Sequence, residues 1–341
     1  MPENITFRTQ LIDGVKEFCQ ESQLEFLSNA LNLVEIVVML AHYREEGVSL
    51  FPKIYLTNDK HILKLMLPDG EVLKIGSAAP DITGIKSAVK KCAPLATNDW
   101  LIYIDTSSHN ALDFGVFKGS GNPISVLVDD VLMTESANFI VVKASQVADD
   151  CVEIRSNRGG LHFIFLNHRM EDSPPPLQYM GQLINSITEK ISEEVKEPTV
   201  SFLNRLFASA LRESHGCIIA VTNMSKPPKF LSDDGVILDE PIDFANLVFN
   251  LKKERIAPSH LESKGYLLKG MLNSDGIILF DNNGRLLGYN CFVKVSNKDN
   301  IIGGARKRAF ANLKTKIGRG LLAAFMLSQD GWTDFEGVNN E

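Results

Sequence analysis

The chain has 341 residues, of which 44% are apolar and 23% charged, with a formal net charge of −7. That length favours two domains, because single cores rarely grow past about 250–300 residues. The composition is that of an ordinary globular protein, and the acidic balance argues against a chain that coats nucleic acid.

Near the N-terminus the longest apolar run, Leu31–Ala41, contains Asn32 and Glu35. It is too short and too polar for a membrane span, which takes about 20 apolar residues. The opening MPENITFRTQ lacks the apolar core of a signal peptide, so the Asn4-Ile5-Thr6 sequon carries no weight. Cys19, Cys92, Cys151, Cys217 and Cys291 are scattered without CxxC spacing, which reads as reduced core thiols. The expected location is the cytoplasm, with no membrane and no nucleic-acid partner.

In chain order, Gln23–Tyr43 has helical spacing through Leu24, Leu27, Leu31, Val34 and Leu40. FPKIYLT and HILKLML then read as strands, and the turn Pro68-Asp69-Gly70 as a hairpin into EVLKIG. Ile82–Ala93 reads as a helix; WLIYID, ISVLVD, NFIVVKA, CVEIRS and LHFIFLN read as further strands. The first half is therefore expected to be mixed α+β. Its paired acids, Asp129-Asp130 and Asp149-Asp150, read mainly as solvated carboxylates at strand ends, with cation binding as the alternative. His162 and His168 read as packing or surface residues.

The break falls at EDSPPP, where three prolines exclude helix and sheet ladder alike. We divide the chain into residues 1–172, a proline-rich linker and lead-in helix over 173–198, and a second domain over 199–338. Leu177–Val195 carries helical periodicity and is expected to stop at Pro198. In the second domain, helices are expected at Val200–Ser214, around Phe244–Lys252, and over Ser259–Asn273. Strands are expected at HGCIIAVTN, within FLSDDGVIL, and at DGIILF, whose turn Asp281–Gly284 leads to RLLGYNCFVKV as a hairpin. A helix carries Arg306–Leu313, and LLAAFMLSQDG closes as a central strand. Continuous apolar strands between helices indicate a sheet buried on both faces. The fold class is α/β in the second domain and α+β overall.

Two short motifs carry chemistry. Asp275 stands at a strand end with Gly276 and Ile277 after it, where it is able to bond a ribose hydroxyl, ligate a divalent metal or deprotonate a hydroxyl. Gly303 and Gly304, ahead of a helix with Ala305, Arg306, Lys307 and Arg308, offer backbone N–H donors and forked cations to a phosphate. Ser214-His215 lacks the elbow and third partner of a hydrolase, and no Walker A or Rossmann fingerprint is present.

The order and flanks of these motifs resemble the diadenylate cyclase (DAC) domain family, over roughly Val200–Gly337. Asp275-Gly276-Ile277 is similar to that family's Asp-Gly-Ala, and Gly304–Phe310 to its Gly-Thr-Arg-His-Arg-Ala-Ala. RESHGCIIAV, GVILDEPIDFANLV and RLLGYNCFVKV resemble the intervening segments. The resemblance implies a mixed sheet flanked by helices and two domains face to face, as a homo-dimer or oligomer. It also implies two ATP joined into cyclic di-AMP with Mg²⁺ or Mn²⁺, and Asp275 as the catalytic and metal-ligating acid. The first half resembles the sensor-like domains that accompany degenerate DAC-type domains in bacterial proteins, in AHYREEG and FPKIYLT.

Departures from the family pattern shape the functional expectation. Lys307 replaces its histidine, and LKTKIGRG replaces its acidic stretch; eight basic residues face one acid, Asp299, between Lys294 and Arg319. Three readings follow: a sensor of an adenine nucleotide or cyclic dinucleotide, an active cyclase, or an interaction module with a vestigial site. The site suits an anion better than turnover of a metal–ATP complex.

Overall fold

The computed structural model describes residues 7–24, 30–67, 70–97, 99–119, 122–148, 150–166, 177–293, 304–328 and 331–338. The class is α+β, and the chain divides into two compact units. One comprises Met1–Gly121 and Val126–Ser173; the other comprises Asn122–Ser125 and Pro174–Glu341. Among the described residues, no helix is long and apolar enough to cross a membrane.

The first unit runs α1 (Phe7–Glu21), α2 (Ala30–Ala41), β1 (Arg44–Glu45), β2 (Val48–Ser49), β3 (Lys53–Thr57), α3 (Ile62–Leu65) and β4 (Glu71–Ala78). It continues with α4 (Ile82–Cys92), β5 (Trp100–Asp105), β6 (Leu112–Lys118), α5 (Val128–Leu132), β7 (Val141–Ala148), β8 (Cys151–Ser156) and β9 (Leu161–Phe165). Seven strands form one sheet in the order β4-β6-β5-β3-β7-β8-β9, with only the β3–β5 pair parallel. One core joins that sheet to α1, α2 and α4 through Val15, Phe18, Ile36, Leu40, Ile85 and Val89. A smaller core gathers Tyr55, Ile62, Leu63, Tyr103, Phe117 and Leu132.

Several expectations for this half need correction. HILKLML is not a strand: Asp59 accepts the His61 amide on its side chain at 2.9 Å, and its carbonyl takes Ile62 N. That turn starts α3, which buries Ile62 and Leu63 and leaves Leu65 exposed. β4 consequently pairs with β6 and not with the segment before it; Pro68 and Asp69 lie outside the described residues. ISVLVD is not a strand either, since α5 begins at Val128. Helix α2 starts at Ala30, and α1 and β6 were unmarked by the periodicity.

The second unit runs α6 (Met180–Ile187), α7 (Glu193–Glu213), β10 (Cys217–Thr222), α8 (Lys229–Ser232), β11 (Val236–Asp243), α9 (Phe244–Lys252) and α10 (Pro258–Leu272). Then follow β12 (Ile277–Asp281), β13 (Arg285–Cys291), α11 (Ala305–Lys314), β14 (Ala323–Leu327) and β15 (Thr333–Gly337). Six strands make a mixed sheet, β11-β13-β12-β10-β14-β15, parallel only at β10–β12.

Period-two alternation sends the side chains of the central strands to two cores. Ile219, Val221, Ile278, Phe280 and Phe325 join Leu203, Phe207, Val248 and Leu268 of α7, α9 and α10. Ile218, Ala220, Ile277, Leu279 and Met326 join Leu231 of α8 and Phe310 and Leu313 of α11. Both faces are buried, which is why these strands are apolar throughout. β14 lies inside the sheet, with β15 as the strand beyond it.

Leu177–Val195 is not one helix. The chain leaves α6 at Thr188, whose hydroxyl donates to Ile184 O at 2.8 Å, and Lys190 N turns to Asn282 O at 2.9 Å. α7 then starts after Ser192 and runs through Pro198 instead of stopping there. Proline lacks the N–H that would bond the carbonyl four residues back. That carbonyl, on Glu194, instead accepts Lys252 Nζ at 2.6 Å.

Candidate functional site

Helix α10 ends at Leu272 with Asn273 as its C-cap, and the Ser274 hydroxyl closes the turn by donating to Met271 O at 2.6 Å. Asp275 follows, exposed to solvent. Gly276 then adopts φ +96, and a Cβ there would sit 2.8 Å from Asn290 Cα and 2.9 Å from Asn290 C. The close approach that demands glycine is thus made by strand β13. Ile277 is buried among Ile218, Phe310 and Leu313, so only its backbone is left for a ligand.

Helix α11 opens at Gly304, which is extended (φ −67, ψ 174) and supplies no side-chain cap. Among the described residues, a Cβ at Gly304 would meet nothing within 4 Å. The first-turn N–H groups of Ala305, Arg306 and Lys307 have no intrahelical acceptor, as at any helix start, and they carry the positive end of the dipole. Gly303 lies outside the described residues. Lys307 and Arg308 are exposed and Arg306 half-buried. Burial pushes the Cys217 thiol up to about 12, partly offset by the charge of Arg306 nearby.

Register brings these groups to one end of the sheet. Ile277, next to Gly276, pairs with Ile218, and Cys217 pairs with Leu327. Just past Leu327, Ser328 N donates to Trp332 O at 2.8 Å and Ser328 Oγ accepts Trp332 N at 2.9 Å. Lys307 Nζ lies 5.3 Å from the centroid of the Trp332 ring. Asp275, Arg306, Lys307 and Trp332 therefore gather at the end of the sheet where β10 and β12 begin. Trp332 had no mark in the sequence beyond being one of two tryptophans.

The charge tally needs one correction. Lys314 is not a spare cation, because it pairs with Asp334 at 3.0 Å and Glu336 at 3.4 Å on β15. Lys316 lies over the Phe230 ring at 5.7 Å. Among the described residues no group of three His, Cys, Asp or Glu side chains is placed to hold a metal. Asp275 shares its sheet end with cations, so these residues do not fit a resident divalent ion.

The other sequence candidates have structural partners. Asp129 is neither a strand-end nor a solvated acid: it accepts the Tyr55 hydroxyl and meets Lys143 Nζ at 2.6 Å. Burial would raise its carboxyl, but Lys143 and Lys53 outweigh that and hold it well below the usual range. Lys143 also meets Glu153 at 2.9 Å. Asp149 and His168 lie outside the described residues. His162 bonds Glu21 at 2.7 Å and packs edge-on to Phe18, and Ser214 Oγ donates to Leu272 O at 3.4 Å. No protein-family model matches this chain, and no curated protein matches it.

Proposed function

We propose that the second unit is a sensor that binds the phosphate of an adenine nucleotide or cyclic dinucleotide. The carrying observation is the opening of α11, with Arg306, Lys307 and Arg308, at the sheet end that also presents Asp275. In this reading the N–H groups from Gly304 to Lys307 and the two arginines take the phosphate, and Asp275 takes a ribose hydroxyl past Gly276 and the Ile277 backbone. An acid just after a helix C-terminus is electrostatically unfavourable, so its presence at the end of α10 favours a ligand role over a stabilising one.

The resemblance to diadenylate cyclases supports the same ligand class and a face-to-face homo-dimer. Turnover is the second reading, and Lys307 in place of the family's histidine weighs against it. Any Mg²⁺ or Mn²⁺ would arrive with the nucleotide.

Calorimetry with ATP and with cyclic di-AMP tests the reading. Arg306→Ala and Arg308→Ala are each expected to weaken binding by about 1.5–3 kcal/mol with the fold intact. Unchanged affinity in both variants would refute the phosphate site. Cyclic di-AMP formed from ATP at many turnovers per minute, and lost in Asp275→Asn, would replace the sensor with a cyclase.

A further inference from the structure

We infer that Trp332 is the base-stacking wall of this site and that Lys307 covers its ring until a phosphate draws the ammonium away. The inference rests on the phosphate-site reading and assigns the residue that takes the ligand's base. The indole is half-buried, packed against the core that contains Phe310 and Leu313, and its backbone is held at both N and O by Ser328. It is therefore an anchored platform. Lys307, by contrast, is exposed and lies over the ring at 5.3 Å.

A cation over a half-buried aromatic ring is held modestly, whereas a charge-assisted bond to a phosphate oxygen is among the stronger polar contacts. Lys307 is the third residue of α11, so its own N–H belongs to the open first turn. A phosphate seated there competes directly for the ammonium. Once Lys307 leaves, the ring it covered is free for a base, and every base has a π-face that stacks on indole. One residue thus serves both as phosphate contact and as lid of the base platform.

The test uses the full chain with Trp100→Phe, which leaves Trp332 as the sole tryptophan. ATP and inorganic triphosphate are titrated separately, following Trp332 emission and heat of binding. ATP is expected to quench the emission over the concentration range in which heat is released. In the full chain, Trp332→Ala should lower ATP affinity roughly 5- to 150-fold, as for one base stacked on an aromatic ring, and leave triphosphate affinity unchanged. Trp332→Phe keeps a ring and should fall between, which covers the case where alanine unfolds the turn. ATP binding with unaltered emission, or an equal loss for ATP and triphosphate, would overturn the stacking inference and leave the phosphate site standing. No heat from either ligand, nor from cyclic di-AMP, would overturn both.

Discussion

Lys252 donates its ammonium to the backbone carbonyl of Glu194 at 2.6 Å, filling the acceptor that Pro198 leaves open inside α7. The contact ties α9 to α7 and makes a proline tolerable in a helix interior. Pro198→Ala restores the missing N–H at a small gain in unfolded-chain freedom, and should stabilise the second unit by about 1–2 kcal/mol. Lys252→Met should cost about 1 kcal/mol in the native background and close to nothing once Pro198→Ala has supplied the bond. Urea unfolding followed by Trp332 emission in a Trp100→Phe chain measures the cycle. Additive effects of the two substitutions would contradict it.

The first unit holds a charge network in place of apolar packing at Lys143, which meets Asp129 and Glu153 at 2.6 and 2.9 Å. Removing Lys143 leaves two half-buried acids with Lys53 as the remaining cation beside Asp129, so Lys143→Met should cost up to about 3 kcal/mol. Adding Asp129→Asn to that variant should recover part of the loss. A cost below about 1 kcal/mol, read from Trp100 emission in a Trp332→Phe chain, would mean that the network contributes little.

The same network sets a pH dependence whose signs differ for its two ends. Asp129 is held below its ordinary value of 3.8, with burial opposing and Lys143 and Lys53 prevailing. Its contribution is therefore present above pH 3.8 and lost as pH falls below it. Lys143 is held above 10.5: burial would lower it, but Asp129 and Glu153 prevail. Its contribution is complete below pH 10.5 and lost as pH rises past it. The urea midpoint of the first unit should fall on the acid side as Asp129 protonates; on the alkaline side the thiols of Cys92 and Cys151, which burial holds above 9.0, begin the fall and Lys143 adds to it, so Lys143→Met should make that limb shallower.

Gly276 tests whether the glycine of the acidic motif serves the fold. Its φ of +96 and the 2.8 Å approach of Asn290 Cα leave no room for a methyl group. Gly276→Ala should destabilise the second unit by about 2 kcal/mol or more, with or without nucleotide. A fully stable variant with weakened ATP binding would instead show that the glycine faces the ligand.

Much of the second unit was legible because local and tertiary signals agree there. Asp243 caps α9 by accepting Asn246 N at 2.8 Å, just as Asp81 in the first unit caps α4 by accepting Gly84 N at 2.8 Å, so both helices begin where a capping residue precedes an apolar run. β10, β12 and β14 are buried on both faces and read as apolar runs. β15 escaped notice because Thr333–Gly337 carries acids that serve Lys314, and β6 because Gly115 interrupts it where Leu73 O and the Tyr103 ring press close. HILKLML misled because its apolar residues are compatible with either period, and the Asp59 turn decided for the helix.

Residue types and order made half of the candidate site visible. The rest depends on distant contacts that spacing does not encode: Trp332 against Lys307, Asn290 behind Gly276, and the acids of β15 that occupy Lys314.

The strand order has a kinetic consequence. β12 and β13 adjoin through the three residues 282–284, and β14 and β15 are separated by five residues of chain, so both hairpins close quickly from local chain. β10 pairs only with β12 and β14, and its parallel partner arrives after the whole stretch from Asn223 to Gly276. Closing that loop is the slow, entropically costly step, so the centre of the sheet locks last. Backbone amides from Ile218 to Val221 should then gain protection last, so a refolding pulse should protect Phe280 and Phe325 before Ile219. The candidate site spans the joint between β10 and β12, so a ligand there would recognise only chains that have finished folding, and would slow their opening by mass action.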